Sequence, residues 1–341
     1  MKRKIIISIT ALIVIFFLAI PLVMAHVPLG TGDNESIGKA TAIPDPTKSL
    51  ALFSQLNSDG DPQYYTFNIK TGQKIHVTMY KSMRPEEANF TPRLVIIGPD
   101  VAAQSNIPTR ISVPLGSNAR LVTQTQPTPT YEPFSPSTFI GLADETIVAP
   151  APGTYYLVVY EQSNLLTGGH YGVAIGDRET YMVEEWVLIP LNLMTIYQWE
   201  GQSLALVLTP MIATLIVGIS FVTWRFKKQC NLANPQAWLG AIAGLTFIGT
   251  GATTLYQMLV TAMHVAMGPE ALITLIFAIV PLAIGLITLM LSVKISDKSN
   301  MKKRIYYVIL GIAALFMWAG LIIGPVIAIL ASVIPTSLKK K

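Results

Sequence analysis

The sequence predicts two unlike halves: an all-β ectodomain, an antiparallel jelly-roll-type sandwich of about eight strands, and an all-α membrane domain of four transmembrane helices. Three observations carry this. Ser203 to Trp224 runs 22 residues without an ionisable side chain, a helix of roughly 33 Å against a hydrocarbon core of about 30 Å. Charge then divides at the same place. Residues 26–200 hold 10 basic and 17 acidic groups, residues 201–341 hold 11 basic and 2 acidic, and residues 1–25 add three basic ones to reach the whole chain's net +5. Finally, between 51 and 176 the apolar residues fall in short alternating runs broken by Asp, Gly and Pro, the period of strands and not of helices.

Met1 to Ala25 has a charged start at Lys2-Arg3-Lys4, an apolar run from Ile5 and a small-residue exit at Val23-Met24-Ala25. That is the pattern of a signal peptide cleaved after Ala25, or of an uncleaved signal anchor given the length of the run. Both export residues 26–180. Tyr65, Phe67 and Ile69 share one face of a strand, and Thr71-Gly72 turns the chain back so that Ile75, Val77 and Met79 share a face of the next. Further strands are expected at Arg93–Ile97, Arg120–Val122, Gly153–Tyr160 and His170–Ile175. Residues 181–202 read as a short helix or an aromatic elbow, with Trp186, Tyr197 and Trp199 at the level of the outer membrane surface. Spans are expected at about 203–224, 238–260, 271–293 and 305–333, with a basic tail at 336–341.

The loops after the first and third spans carry Arg225, Lys227, Lys228, then Lys294, Lys298, Lys302, Lys303 and Arg304, whereas the loop around His264 to Glu270 has no Lys or Arg. This puts a multi-pass protein in the cell membrane with its N-terminal domain outside. Lys339, Lys340 and Lys341 are the exception, since four spans would leave them outside. The lone cysteine, Cys230, falls on the inner side, so the sandwich must hold together through its core alone. The basic balance is a topology signal and gives no reason to expect a nucleic-acid partner.

Asp59-Gly60-Asp61, Tyr65-Thr66-Phe67-Asn68-Ile69, Gly72-Gln73-Lys74-Ile75, Pro152-Gly153-Thr154-Tyr155-Tyr156-Leu157-Val158-Val159 and Tyr171-Gly172-Val173-Ala174-Ile175 occur in that order. Residues 30–177 thereby resemble the bacterial and archaeal pre-peptidase C-terminal (PPC) domain. The stretch from Asp100 to Pro150 is longer and richer in proline than that module. The resemblance implies a non-catalytic β-sandwich that binds or assists other parts.

Five groups of residues invite a chemical reading. His26 would be the first residue after cleavage and could chelate copper through amine and imidazole, with His76 or His170 as partner; the plainer reading is an accidental terminus. Asn57, Asp59 and Asp61 alternate as ligands of a Ca²⁺ loop do, with Asp33 or Glu35 to add; the plainer reading is an Asx-rich turn. Apart from copper at His26, Ca²⁺ is the one cofactor the pattern admits, the expectation otherwise being none. Asn34-Glu35-Ser36 and Asn89-Phe90-Thr91 are glycosylation triplets. Gln126 to Pro136 reads as an extended, PPII-leaning loop that either presents Tyr131 and Phe134 to a partner or straps both rings across the sandwich. Gly240 and Gly244, like Gly320 and Gly324, form small-xxx-small faces for close helix packing.

The spans contain no Asp, Glu, Lys or Arg at depth, which speaks against an ion-driven carrier. There is no Walker loop, nucleophile elbow, H-E-x-x-H or C-x-x-C pair. The leading expectation is a non-enzymatic surface protein whose sandwich binds or assembles with an extracellular protein or polymer, or serves as the accessory subunit of a membrane complex. An oligomeric channel or transporter capped by the ectodomain is the second class, a homo-oligomer in the bilayer. A copper-dependent surface enzyme using His26 is the third.

Overall fold

The computed structural model describes residues 27–30, 32–162, 167–294 and 301–336. The signal segment, His26 and the terminal lysines lie outside them.

Eleven described strands form two sheets. They are β1 (Val27–Leu29), β2 (Thr41–Ala42), β3 (Leu50–Leu56), β4 (Gln63–Ile69), β5 (Lys74–Lys81), β6 (Pro92–Gly98), β7 (Asn118–Leu121), β8 (Gln124–Glu132), β9 (Ser137–Val148), β10 (Gly153–Glu161) and β11 (Gly169–Ile175). The six-stranded sheet has the order β1-β3-β11-β5-β9-β8 and the five-stranded sheet β2-β4-β10-β6-β7. Among these strands only the β1–β3 and β2–β4 pairs are parallel. The expected faces meet between the sheets: Tyr65, Phe67 and Ile69 with Ile75, Val77 and Met79, joined by Leu157, Val159 and Val173.

The expectation of about eight strands is corrected upward, largely in the proline-rich middle. Pro127 and Pro129 lie inside β8, at the edge of its sheet, where a missing N–H breaks no ladder bond on the open side. Instead of a PPII-leaning loop, the segment pairs antiparallel with β9 from Thr128↔Gly141 to Glu132↔Ser137.

Both outer faces of the sandwich are covered too. Tyr64, Val95, Ile97, Val158 and Tyr160 pack under Ile111 and Ala119, which explains why β6 and β10 read as apolar runs without clean alternation. On the other sheet, Tyr80 and Ala174 pack with Trp199, which arrives from a helix.

That helix, α1 (Val183–Trp199), is the helical of the two forms expected there and runs for 17 residues. Its rings turn inward: Tyr197 and Trp199 are buried, and Trp186 packs at a tilt against Trp318, 4.6 Å between ring centres. Then come α2 (Leu204–Lys228), α3 (Pro235–Ala262) and α4 (Ala271–Val293), the three described helices long and apolar enough to cross a membrane. They run antiparallel in turn, and α3 meets α4 closely. A Cβ at Gly244 would stand 2.8 Å from the Leu289 backbone nitrogen and 2.9 Å from the Gly285 carbonyl oxygen.

The fourth span is not a single helix. Residues 305–333 divide into α5 (Met301–Phe316) and α6 (Ile323–Val333), and the second folds back along the first. Arg304 at the start of α5 donates to the carbonyls of Ser332 and Val333 at 2.9 and 3.2 Å and to that of Ile334 at 3.2 Å. Between the helices Trp318, Gly320 and Leu321 all have positive φ, the conformation that reverses a helix and that an L side chain adopts at a cost. The apex is held midway along α3, where the Gly320 N–H donates to Thr250 Oγ1 at 2.7 Å.

Candidate functional site

Helix α1 crosses the outer face of the six-stranded sheet and is tied down at both ends. At its start, the Glu185 carboxylate accepts the Met182 N–H at 2.8 Å and takes Lys48 Nζ at 2.5 and 2.7 Å. At its end, Arg84 donates to the carbonyls of Gln198 and Trp199 at 2.6 and 2.9 Å, a cation on the last turn where the helix dipole favours one. Trp199 closes the joint, its indole N–H reaching the carbonyls of Ser54 and Tyr171, each at 3.2 Å. Glu200 adds one more tie by accepting the Thr138 N–H at 2.6 Å.

Between these ties lies a cavity of about 560 Å³, within the range of small-molecule sites. Helix α1 contributes Ile189, Asn192, Leu193 and Ile196, spaced as one helical face. The sheet contributes Phe53, Tyr80 and Phe139. Two irregularities lie in this wall, a register shift in β5 between Met79 and Tyr80 and another in β8 between Gln124 and Thr128. Such shifts re-aim side chains. The Tyr80 ring lies across Gly172 on β11, where any Cβ would come within 2.0 Å of it. Tyr80 then sits 4.5 Å from Phe139 and 6.0 Å from Trp199 between ring centres, with Phe53 5.3 Å from Trp199.

One carboxylate faces this aromatic wall. Glu132, the last residue of β8, lines the cavity and takes a hydrogen bond from the Phe134 N–H at 3.1 Å. Burial pushes its carboxyl up, and the Phe134 N–H opposes that; with the Glu179 charge also raising it, the value reaches about 7. Glu200 is raised to about 7 as well, by burial against the opposing bonds from Thr138 and Gln202.

Just beyond Glu132, residues 133–136 form a tongue between the helices. Thr274 Oγ1 on α4 bonds the Tyr131 hydroxyl and donates to the Pro133 carbonyl at 2.5 Å; Thr261 Oγ1 on α3 donates to the Pro136 carbonyl at 2.8 Å. The Phe134 ring sits 5.0 Å from Trp318 and 5.4 Å from Phe277, which stack on one another. Trp318 in turn donates its indole N–H to the Trp186 carbonyl at 3.0 Å. Tyr131 and Phe134 therefore take neither of the two fates open to them in the sequence. They join the sandwich to this chain's own membrane helices.

The remaining candidates are dispersed. Asn57, Asp59 and Asp61 sit in an exposed turn: Asp59 Oδ1 accepts the Asp61 N–H at 3.2 Å, and the Asn57 amide donates to Glu35 at 3.1 Å. No group of three or more His, Cys, Asp or Glu gathers for a metal among the described residues. Asn34 is corrected as a glycosylation acceptor. It is buried, its amide donating to the Tyr64 carbonyl at 3.2 Å, where no sugar has room; Asn89 is exposed. His76 lies between Asp177 and Asp144, each at 2.7 Å, and His170 bonds Glu87 through Nδ1 at 2.5 Å. Both rings, on the neighbouring strands β5 and β11, are occupied by carboxylates. Gly240 faces Tyr307 and Ser292, whereas Gly320 lies in the hairpin turn and Gly324 at the first turn of α6, both against Thr246 and Phe247. The Gly320–Gly324 pair is thus a turn and not a helical face.

Composition hid Glu132, Tyr80 and Trp199. A lone carboxylate between prolines and aromatics, in Tyr131-Glu132-Pro133-Phe134, was the one signal that pointed to them.

No family model matches the sequence, and none of the curated proteins does. Among solved structures, the chain is similar to the pre-peptidase C-terminal domain of a collagenase from Bacillus anthracis. That alignment has 18% identity and a TM-score of 0.23 and covers 40% of this chain and 93% of that one. It is also similar to PliG, a periplasmic inhibitor of g-type lysozyme from Aeromonas hydrophila, at 15% identity and TM-score 0.24, covering 40% and 96%. CorA, a surface-associated copper-binding protein of Methylomicrobium album BG8, aligns at 8% identity and TM-score 0.22, covering 45% and 100%.

Proposed function

We propose that this chain is a non-enzymatic membrane receptor: a PPC-like sandwich outside the cell, seated on three membrane spans, that holds a small apolar or amphiphilic molecule between its sheet and helix α1. The cavity of about 560 Å³ carries the reading. Its wall joins apolar and aromatic groups to a comparable number of polar ones, Gln126, Glu132 and Asn192 among them, so that an apolar body can be buried and a polar head oriented, and it lies beside the entry to α2, at the level of the outer membrane surface.

The orientation rests on charge. Arg225, Lys227 and Lys228 end α2, and Lys302, Lys303 and Arg304 begin α5, both at the end of the helices away from the sandwich, as inner-side cations should be. In this reading the terminal lysines cease to be an exception. Chain leaving α6 beside Arg304 is back on the basic side, and Lys339 to Lys341 come a few residues later. Helices α5 and α6 then form a re-entrant pair whose turn is covered by protein, as irregular backbone at membrane depth requires.

Calorimetry on the full chain in lipid nanodiscs, with n-hexanol and n-hexyltrimethylammonium as probes and empty nanodiscs as blank, tests the reading. One saturable site is expected, abolished by Leu193→Trp, which fills the cavity. Heats equal to the blank for both probes would sink it. The accessory-subunit reading stands second, favoured by the exposed apolar side of α2 at Ile212, Ile216, Val217 and Phe221, which lipid or another membrane chain would cover.

A further inference from the structure

We infer that the occupant of the cavity is an organic cation with an apolar body, an alkylammonium-type amphiphile whose charged head lies against Glu132 and the Tyr80–Phe139 wall. This rests on the receptor reading above and adds the chemical class of ligand.

Four observations point the same way. First, the lining holds two carboxylates and no Lys, Arg or His. Of the two, Asp144 is already bonded to His76 at 2.7 Å. Glu132 has one hydrogen bond, from a backbone N–H, and no cation partner among the described residues. A half-buried carboxylate with so little compensation carries a desolvation cost in the empty protein, which an entering cation would offset. Second, Tyr80, Phe139, Phe53 and Trp199 meet at ring distances of 4.5 to 6.0 Å around the same space. Their negative faces attract alkylammonium groups. Third, the Tyr80 hydroxyl has no hydrogen-bond partner among the described residues, and Tyr80 and Glu132 both line the cavity. The two groups therefore face the same volume. Fourth, the α1 side offers Ile189, Leu193 and Ile196, a hydrocarbon bed for the tail. An anionic amphiphile such as a fatty acid would meet Glu132 and be rejected, the repulsive half of the specificity.

The test compares n-hexyltrimethylammonium with n-hexanol, by calorimetry on the full chain in nanodiscs at pH 8. The wild type should bind the cation about tenfold or more tightly than the alcohol, within the range of a carboxylate plus cation–π contact. In Glu132→Gln the preference for the cation over the alcohol should fall to within about twofold. Phe139→Leu should lower the ratio of cation to alcohol affinity severalfold, a check independent of Glu132. Equal binding of the two probes to wild type, or a preference that persists in Glu132→Gln, overturns this inference and leaves the receptor reading standing. Binding of neither probe overturns both.

Discussion

Glu200 holds the start of β9 to the end of α1 through a charge that burial resists. Its carboxyl and that of Glu132 both reach about 7, against an ordinary 4.5. The folded state therefore binds protons that the unfolded state has lost, and stability falls as pH rises from about 4.5 to about 7. His76 acts in the same direction. Burial lowers it, but Asp144 and Asp177 prevail and raise it, so its contribution is full below the ordinary 6.5 and is lost as pH climbs through the raised value. Glu87 has the opposite sign. Although buried, it is drawn down to about 2 by His170 and Ser82, so its contribution is present above 4.5 and lost as acid approaches 2. The midpoint of thermal unfolding in nanodiscs should therefore peak near about pH 5. Glu200→Gln should flatten the decline between pH 5 and pH 8; an unchanged slope would mean that Glu200 is not a cause. None of these protons was legible in the sequence, because each depends on depth and partners far along the chain, as in the 83 residues separating Glu87 from His170.

At the scale of elements, what was legible is what one face of one strand reports. Tyr65, Phe67 and Ile69, like Ile75, Val77 and Met79, alternate because one side meets the core. β8 and β9 escaped because Pro127 and Pro129 suggest a loop, and only an edge position makes them compatible with a strand. The α5–α6 hairpin was hinted at only by Lys339 to Lys341, which four spans would leave outside, because one long helix and a helical hairpin are equally apolar. The turn is written in positive φ at Trp318 and Leu321, residue types that give no hint of it. Cross-linking separates the two arrangements. A Cβ at Gly311 would lie 3.3 Å from that of Ala328, close to disulfide geometry. Gly311→Cys with Ala328→Cys, in a Cys230→Ser background, should form an intramolecular disulfide under mild oxidation; one continuous helix would hold those residues roughly 25 Å apart. Arg304→Ala leaves three carbonyls without their donor and should cost about 1–3 kcal/mol, read from the unfolding midpoint.

For the whole molecule, coupling between the halves does not run through the α1–α2 joint alone. A Gly/Ser insertion between Glu200 and Gly201 leaves the tongue in place, with Tyr131 on Thr274 and Phe134 on Trp318. The insertion by itself should leave hydrogen-exchange protection of residues 131–138 within about twofold of wild type. Combined with Phe134→Ala it should remove most of that protection, because the aromatic contact that seats the tongue is gone. Strong loss from the insertion alone would show that the joint dominates. Nothing in Gln126 to Pro136 announced this role, since prolines and aromatics suit a free loop as well as a plug, and the outcome depends on the receiving helices.

The position of the hairpin turn also bears on how the protein is made. Trp318 to Leu321 are reached late in synthesis, and their backbone depends on groups made earlier: the Thr250 hydroxyl for the Gly320 N–H, the Trp186 carbonyl for the Trp318 indole, and Phe134 for its ring. A ribosome working from the N-terminus thus builds the receiving surface before the segment that needs it. In the proposed orientation the sandwich is exported and the first three spans are laid in before the re-entrant pair enters from the opposite side. Each half is therefore a folding template for the other, and damage to the tongue should surface first as failed maturation of the hairpin.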